Sequence, residues 1–360
     1  MNALYFISLF LFTILSWGFV DANAPLPKIA SLHPIIYFQT IYPTVWYAGS
    51  VGVLFVWYLW TLRNIKKALV SSKAVWLLIA GTTAILIWSY PALSSDIFNY
   101  IATAKVTFFY KENPYIIMPI DVPNEPMLSF LHAANKVALY GPVWIMLTAI
   151  PHWTGLGNLL RTLFAFKVFI AAWYVVLCYL IWIESGKKPW ALAFFGLNPL
   201  VTISTLVDGH NDVVMMGLAL VSFMAIKRRR FVMGVTLLIA SIFIKGATIA
   251  LVPLLFFKTS SWQRVWYWAS IAMYVIFFLS PIREEIYAWY FIWPLVFLAL
   301  VEKQSLLHAA SYGFSFGLML RIVPFFYTRS WSGITPMVKK IVTFVPPVIS
   351  TLIYGKTPRR

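Results

Sequence analysis

Apolar residues run along almost the whole chain in stretches close to the length of a bilayer crossing, separated by short polar turns. A helix of about 20 residues spans the hydrocarbon core and satisfies its own backbone hydrogen bonds there. The pattern predicts helices over 4–20, 43–62, 74–92, 162–183, 190–206, 212–227, 231–244, 246–257, 265–281, 289–301, 306–326 and 338–354. The runs at 231–244 and 246–257 are short for a crossing and predict a hairpin that turns near Lys245. The segment 141–153 is shorter still and carries Pro142 and Pro151, which predicts a re-entrant or interfacial helix. The expectation is an all-α polytopic transmembrane bundle of about 12 helices, with residues 1–360 as a single membrane domain.

Composition agrees with this reading. The chain is 61% hydrophobic and 11% charged, against roughly 25% charged residues in a soluble domain. Its single cysteine, Cys178, lies inside an apolar run and reads as packing. The net charge of +17 does not point to nucleic acid, because the cations cluster at the ends of apolar runs, where they report topology. Arg63, Lys66, Lys67, Lys73, Lys187, Lys188, Lys227, Arg228, Arg229, Arg230, Lys258, Arg264, Lys303, Lys356, Arg359 and Arg360 fall in short segments expected on the cytoplasmic side, with both termini. Only Glu184 and Glu302 of the eleven acids join them. Ala22-Asn23-Ala24 resembles a signal-peptide cleavage site, but no Lys or Arg precedes the first apolar run, and a retained first helix is expected.

The longest polar stretch, residues 93–140, falls on the outer side and holds Asp96, Lys105, Lys111, Glu112, Asp121, Glu125, His132 and Lys136. Its first part, 97–110, can be drawn as an amphipathic interfacial helix with Tyr100 and Phe108 meeting lipid. A long structured loop at a membrane surface is a common place for function.

Several short strings follow in order: Ser95-Asp96-Ile97-Phe98-Asn99-Tyr100, Asn113-Pro114-Tyr115, Tyr140-Gly141-Pro142, Asn198-Pro199-Leu200, Gly209-His210-Asn211-Asp212, and an intramembrane Lys245. Over roughly residues 80–300 this series resembles the polyprenol-phosphate-mannose-dependent mannosyltransferases, within the GT-C class of membrane glycosyltransferases. Where relatives commonly carry Pro after the lysine, this chain has Gly246. The resemblance implies a GT-C-like bundle that moves a hexose, most simply mannose, from a polyprenyl-phosphate donor to a glycan or glycolipid acceptor on the extracytoplasmic face.

The residues support that chemistry independently. A lipid-linked phosphosugar brings its own leaving group, so the protein needs an acceptor-activating base and cations near the phosphate. No Gly-rich phosphate loop, zinc spacing or nucleophile elbow is present, which leaves lipid-linked donors or, alternatively, a transporter or flippase of lipid-linked sugars. Asp96 is the expected general base, with partial burial lifting its basicity; the alternative is a helix cap. Lys245 and Arg321, cations in apolar runs, are expected at the donor phosphate. Asp208, His210, Asn211 and Asp212 are expected on a helix starting near Asp208, where 208 and 212 share a face and can orient acceptor hydroxyls or hold a divalent cation such as Mg or Mn. Asn99, Tyr100, Asn113, Tyr115, Tyr140, Tyr287 and Trp289 are candidate substrate-binding groups, the last two with Arg283, Glu284 and Glu285 in an outer wall.

Overall fold

Every apolar run becomes helical in the computed structural model, which describes residues 2–257, 261–282 and 285–356. In chain order these are α1 (Asn2–Ser16), α2 (Ile41–Lys66), α3 (Ser72–Leu86), α4 (Asp96–Ala104), α5 (Pro142–Leu147), α6 (Ala149–Thr154), α7 (Leu159–Glu184), α8 (Pro189–Gly196), α9 (Pro199–Thr202), α10 (Asp212–Lys227), α11 (Phe231–Ile242), α12 (Trp262–Leu279), α13 (Ile292–Leu298), α14 (Leu306–Met319), α15 (Val323–Thr328) and α16 (Thr335–Lys356). No strand occurs among the described residues. Among the described residues, five helices are long and apolar enough to cross a membrane. The chain is a polytopic membrane protein: α16, for example, leaves Met337, Val348, Ile349, Leu352 and Ile353 exposed, a surface that suits lipid.

Local chemistry places the breaks. The run expected as one helix over 190–206 divides into α8 and α9, the latter continuing through Ile203–Val207, with a bend of 53°. Pro199 has no N–H for the ladder, and the Asn198 side chain accepts from the Leu200 amide at 3.0 Å while donating to Ser315 Oγ at 3.0 Å. The Asn-Pro-Leu string is therefore a buried helix restart. α8, α9 and α10 are apolar on all sides and form the bundle centre. The expected hairpin is present: α11 ends at Ile242, Lys245 is extended (φ −157°, ψ 122°), and a tight helical segment follows over Gly246–Phe256.

The basic turns gather at one end of the bundle. Lys188 pairs with Glu302 at 2.7 Å, Lys66 donates to Gln304 at 2.6 Å, and Lys227 pairs with Glu184. α10 runs away from this end for about 24 Å at 1.5 Å per residue, so Asp212, its first residue, belongs to the opposite end.

The 93–140 segment covers that opposite end. It is folded around Glu125, which takes hydrogen bonds from Lys105 (2.9 Å), the Tyr110 hydroxyl (2.5 Å) and the Met127 amide (3.0 Å). The helix expected over 97–110 is present, α4 continuing in a wider turn over Lys105–Phe109, but its aromatic side chains do not meet lipid as drawn. Tyr100 is fully buried, with ring centroids 4.7 Å from Tyr140 and 5.0 Å from Trp144, while Phe108 packs on His152 and Trp153. α4 is apolar on most of its circumference, so it docks between α7, α5 and the loop instead of floating on the interface.

Candidate active site

Two turns far apart in sequence build the site's frame. Gly141 N–H donates to the Ile244 carbonyl at 3.0 Å, and Val143 N–H donates to the Phe243 carbonyl at 3.1 Å. A Cβ at Gly141 would overlap the Phe243 carbonyl, so only glycine permits this approach. The Tyr140-Gly141-Pro142 turn is thereby clamped to the α11 break, immediately before Lys245. Behind it, the Tyr115 hydroxyl donates to the Tyr140 carbonyl at 3.0 Å, and the Asn113 side chain accepts from the Tyr115 amide at 3.0 Å. Asn113 and Tyr115 thus brace Tyr140.

Asp96 is the first residue of α4, and its amide donates to Ser94 Oγ at 3.2 Å. Its carboxylate does not cap the helix. It lies with Oδ2 3.5 Å from His210 Nδ1, beside the Tyr140 hydroxyl. Burial pushes the carboxyl up, but His210, Lys245 and Tyr140 together outweigh it and hold Asp96 below the usual carboxylate range. The expected lift in basicity by burial is reversed, because the carboxylate faces cations and donors.

The expected helix from Asp208 is also corrected. α10 begins at Asp212, and Gly209 sits at φ +75° between the two acids. Asp208 and Asp212 therefore share no helical face. Asp208 turns back to accept from the Leu93 amide at 3.0 Å. Burial pushes its carboxyl up to about 7 against the pull of His210, the Leu93 amide and Lys167. Asp212, fully buried, faces Lys245: Nζ lies 3.2 and 3.4 Å from the two carboxylate oxygens, and Trp293 Nε1 donates to Oδ1 at 2.5 Å. The same ammonium sits 4.4 Å from the centre of the Tyr290 ring, a cation–π contact.

Residues 6–260 match the family model of the alpha-(1→6)-mannopyranosyltransferases, N-terminal domain. The chain belongs to this family. No curated protein and no solved structure matches it. The chain is accordingly an alpha-mannosyltransferase, and the expected mannosyltransferase family is the right one. The mannosyltransferase's candidate site also draws on residues beyond the matched stretch: Trp289, Tyr290 and Trp293 come from the turn into α13 and from α13 itself.

Trp289 stacks face to face on His210, with centroids 3.8 Å apart and planes at 17°, and Tyr287 stacks on Trp289 at 4.5 Å. The expected outer wall is thus joined to the His-Asn-Asp string; Arg283 and Glu284 lie outside the described residues. Asn211 N–H donates to Tyr100 Oη at 3.4 Å, while both atoms of its buried amide have no partner among the described residues. Asn99 lies one turn beyond Asp96 on α4 with its Oδ1 also unpartnered. These groups have hydrogen bonds to give to a substrate.

Arg321 is engaged elsewhere. It donates to Glu285 at 2.6 Å and Thr343 at 2.8 Å, and Lys339 binds the same carboxylate. Its hydrogen bonds thus go to Glu285 and Thr343, and none joins the Lys245–Asp212 pair. As for a divalent cation, no three His, Cys, Asp or Glu side chains converge among the described residues. The Asp212 carboxylate is occupied by Lys245 and Trp293, so the present arrangement does not fit a metal.

Sequence reasoning missed Lys167, fully buried in α7. Its ammonium donates to the carbonyls of Leu86 (3.3 Å), Ser89 and Val207 (3.1 Å) and to Ser89 Oγ (2.9 Å). It ties the end of α3 to the end of the Ile203–Val207 turn, just before Asp208. The signal was available: a lysine amid an apolar run needs partners.

Proposed function

We propose that this mannosyltransferase uses a polyprenyl-phosphate mannose donor and transfers the sugar to a glycan or glycolipid acceptor on the extracytoplasmic face. The observation that carries the reading is one continuous constellation, Asp96–His210 beside Asp212–Lys245, at the end of the bundle opposite the basic turns. An excess of Lys and Arg marks the cytoplasmic side, so this end is the outer one.

The residues divide by charge. Lys245, held by Asp212 and flanked by Tyr290, is the cation for the donor phosphate. Its position at a break in the bilayer-embedded hairpin suits a substrate anchored by a lipid tail. Asp96 accepts the proton of the acceptor hydroxyl as that oxygen bonds to the anomeric carbon. The bond from carbon to phosphate oxygen breaks with its electron pair, and the polyprenyl phosphate leaves as an anion. Phosphate needs no general acid, so one carboxylate suffices, and direct displacement inverts the anomeric centre. Asn211, Asn99 and the Trp289–Tyr287 stack are placed to orient sugar hydroxyls and faces.

Purified protein, radiolabelled polyprenyl-phosphate mannose and an octyl α-mannoside acceptor test the reading. Covalent transfer of label to the acceptor is expected. Transfer from a nucleotide-linked mannose instead would replace the proposed donor class.

A further inference from the structure

Beside Asp96 lies an imidazole to which the proposed function gives no proton-handling role. His210 is completely buried, and neither ring nitrogen has a hydrogen-bond partner among the described residues. A buried polar group without a partner is costly and calls for an explanation. The backbone fixes its place. Gly209 supplies the left-handed turn (φ +75°), where a Cβ would come within 2.7 Å of Ile97 Cδ1, and Trp289 covers one face of the ring. The result is Nδ1 held 3.5 Å from Asp96 Oδ2, slightly beyond a hydrogen bond and ready to close to one.

We propose that His210 is a second catalytic residue, which takes from Asp96 the proton that the carboxylate removes from the acceptor hydroxyl. This rests on the reading of Asp96 as the base. The step balances within the chain: the acceptor oxygen loses its proton to Asp96 and bonds the anomeric carbon, the phosphate departs with the electron pair, and the proton moves on to Nδ1. Asp96 returns to its charged form and His210 becomes imidazolium until the proton reaches water. The relay answers a difficulty of the site. A carboxylate held low by neighbouring cations is a weak terminal base, whereas an imidazole is an intrinsically stronger one.

The groups facing the pair act in both directions. Asp208, from the turn before the histidine, and Asp96, from α4, favour the imidazolium, whereas Lys245, from the α11 break, opposes a second positive charge beside Asp96. Tyr140 meets the carboxylate from the loop turn, and Trp289 contributes a ring face without charge. Lys167 in turn acts on Asp208.

The test is the pH dependence of turnover at saturating donor and acceptor, in wild type and His210→Gln. Wild-type kcat should fall tenfold per pH unit on the acid side of a single ionisation, since a histidine already protonated cannot receive the proton. His210→Gln should lower kcat by about 10- to 100-fold, leave the donor KM within twofold, and move the acid limb below pH 5. A wild-type profile without an ionisation between pH 5.5 and 7.5 overturns the relay, and this needs no variant to fold. An unchanged acid limb in His210→Gln overturns it equally. Failure of the underlying reading looks different: Asp96→Asn would then keep its turnover.

Discussion

In the proposed mechanism Asp96 and Lys245 divide the chemistry, and their removal should fail in different ways. Asp96→Asn keeps the shape of the α4 start and removes the base, so turnover should fall by roughly two to four orders of magnitude while donor binding persists. Measuring both quantities on the same preparation separates them; a variant that turns over normally would shift the base to another acid. Lys245→Met should instead weaken donor binding, and it leaves Asp212 buried with Trp293 alone, so some loss of stability should accompany it. Asp208 offers a check that involves no substrate. Its folded carboxyl titrates near 7 and its unfolded one near 3.9, so the folded state holds the extra proton between those values. The stabilisation is complete below about pH 4 and is lost as pH rises to about 7. Asp208→Asn, which can still accept from Leu93, should flatten that part of a melting-temperature profile in detergent. Individual residues were unevenly legible. Lys245 stood out as a lone charge, but Lys167 hid in a run long enough to span with one cation in it. Trp293, which holds Asp212, looks in sequence like any interfacial tryptophan.

At the level of elements, apolar periodicity placed the helices well. α10 was expected at 212–227 and lies at Asp212–Lys227. The departures have local causes that two-state patterning does not weigh: Pro199 splits one run, and the Gly209 turn places Asp208 and Asp212 on different elements although they are four residues apart. The clamp between Gly141 and Phe243–Ile244 was not legible at all, because nothing in either string names the other. It makes a clear prediction. Gly141→Ala should push the Tyr140 turn off the α11 break and separate Asp96 from Lys245, lowering kcat more than overall stability. Turnover by that variant at the wild-type rate would show that the two turns can part without consequence.

For the whole molecule, the positive-inside pattern predicts that the 93–140 loop lies outside, opposite the basic turns, and the chain provides its own means of checking this. Its single cysteine is fully buried, so the protein is a quiet background for accessibility labelling. Cysteines introduced at Lys136, in the covering loop, and at Arg229, in a basic turn, should react from opposite sides in intact cells, with the Lys136 position open to an impermeant reagent. Labelling of both from the same side would refute the assigned topology.

Lys167 also bears on how the molecule is made. Two of the carbonyls around its ammonium, from Leu86 and Ser89, are synthesised before it, and the third, from Val207, comes well after. When α7 leaves the insertion machinery, α3 is the neighbour already able to shelter the charge. Biogenesis therefore favours retaining α3 beside α7 until the second half of the site arrives, and a chain with Ser89 and the residues around it disrupted should stall or be degraded as a nascent intermediate before any question of catalysis arises.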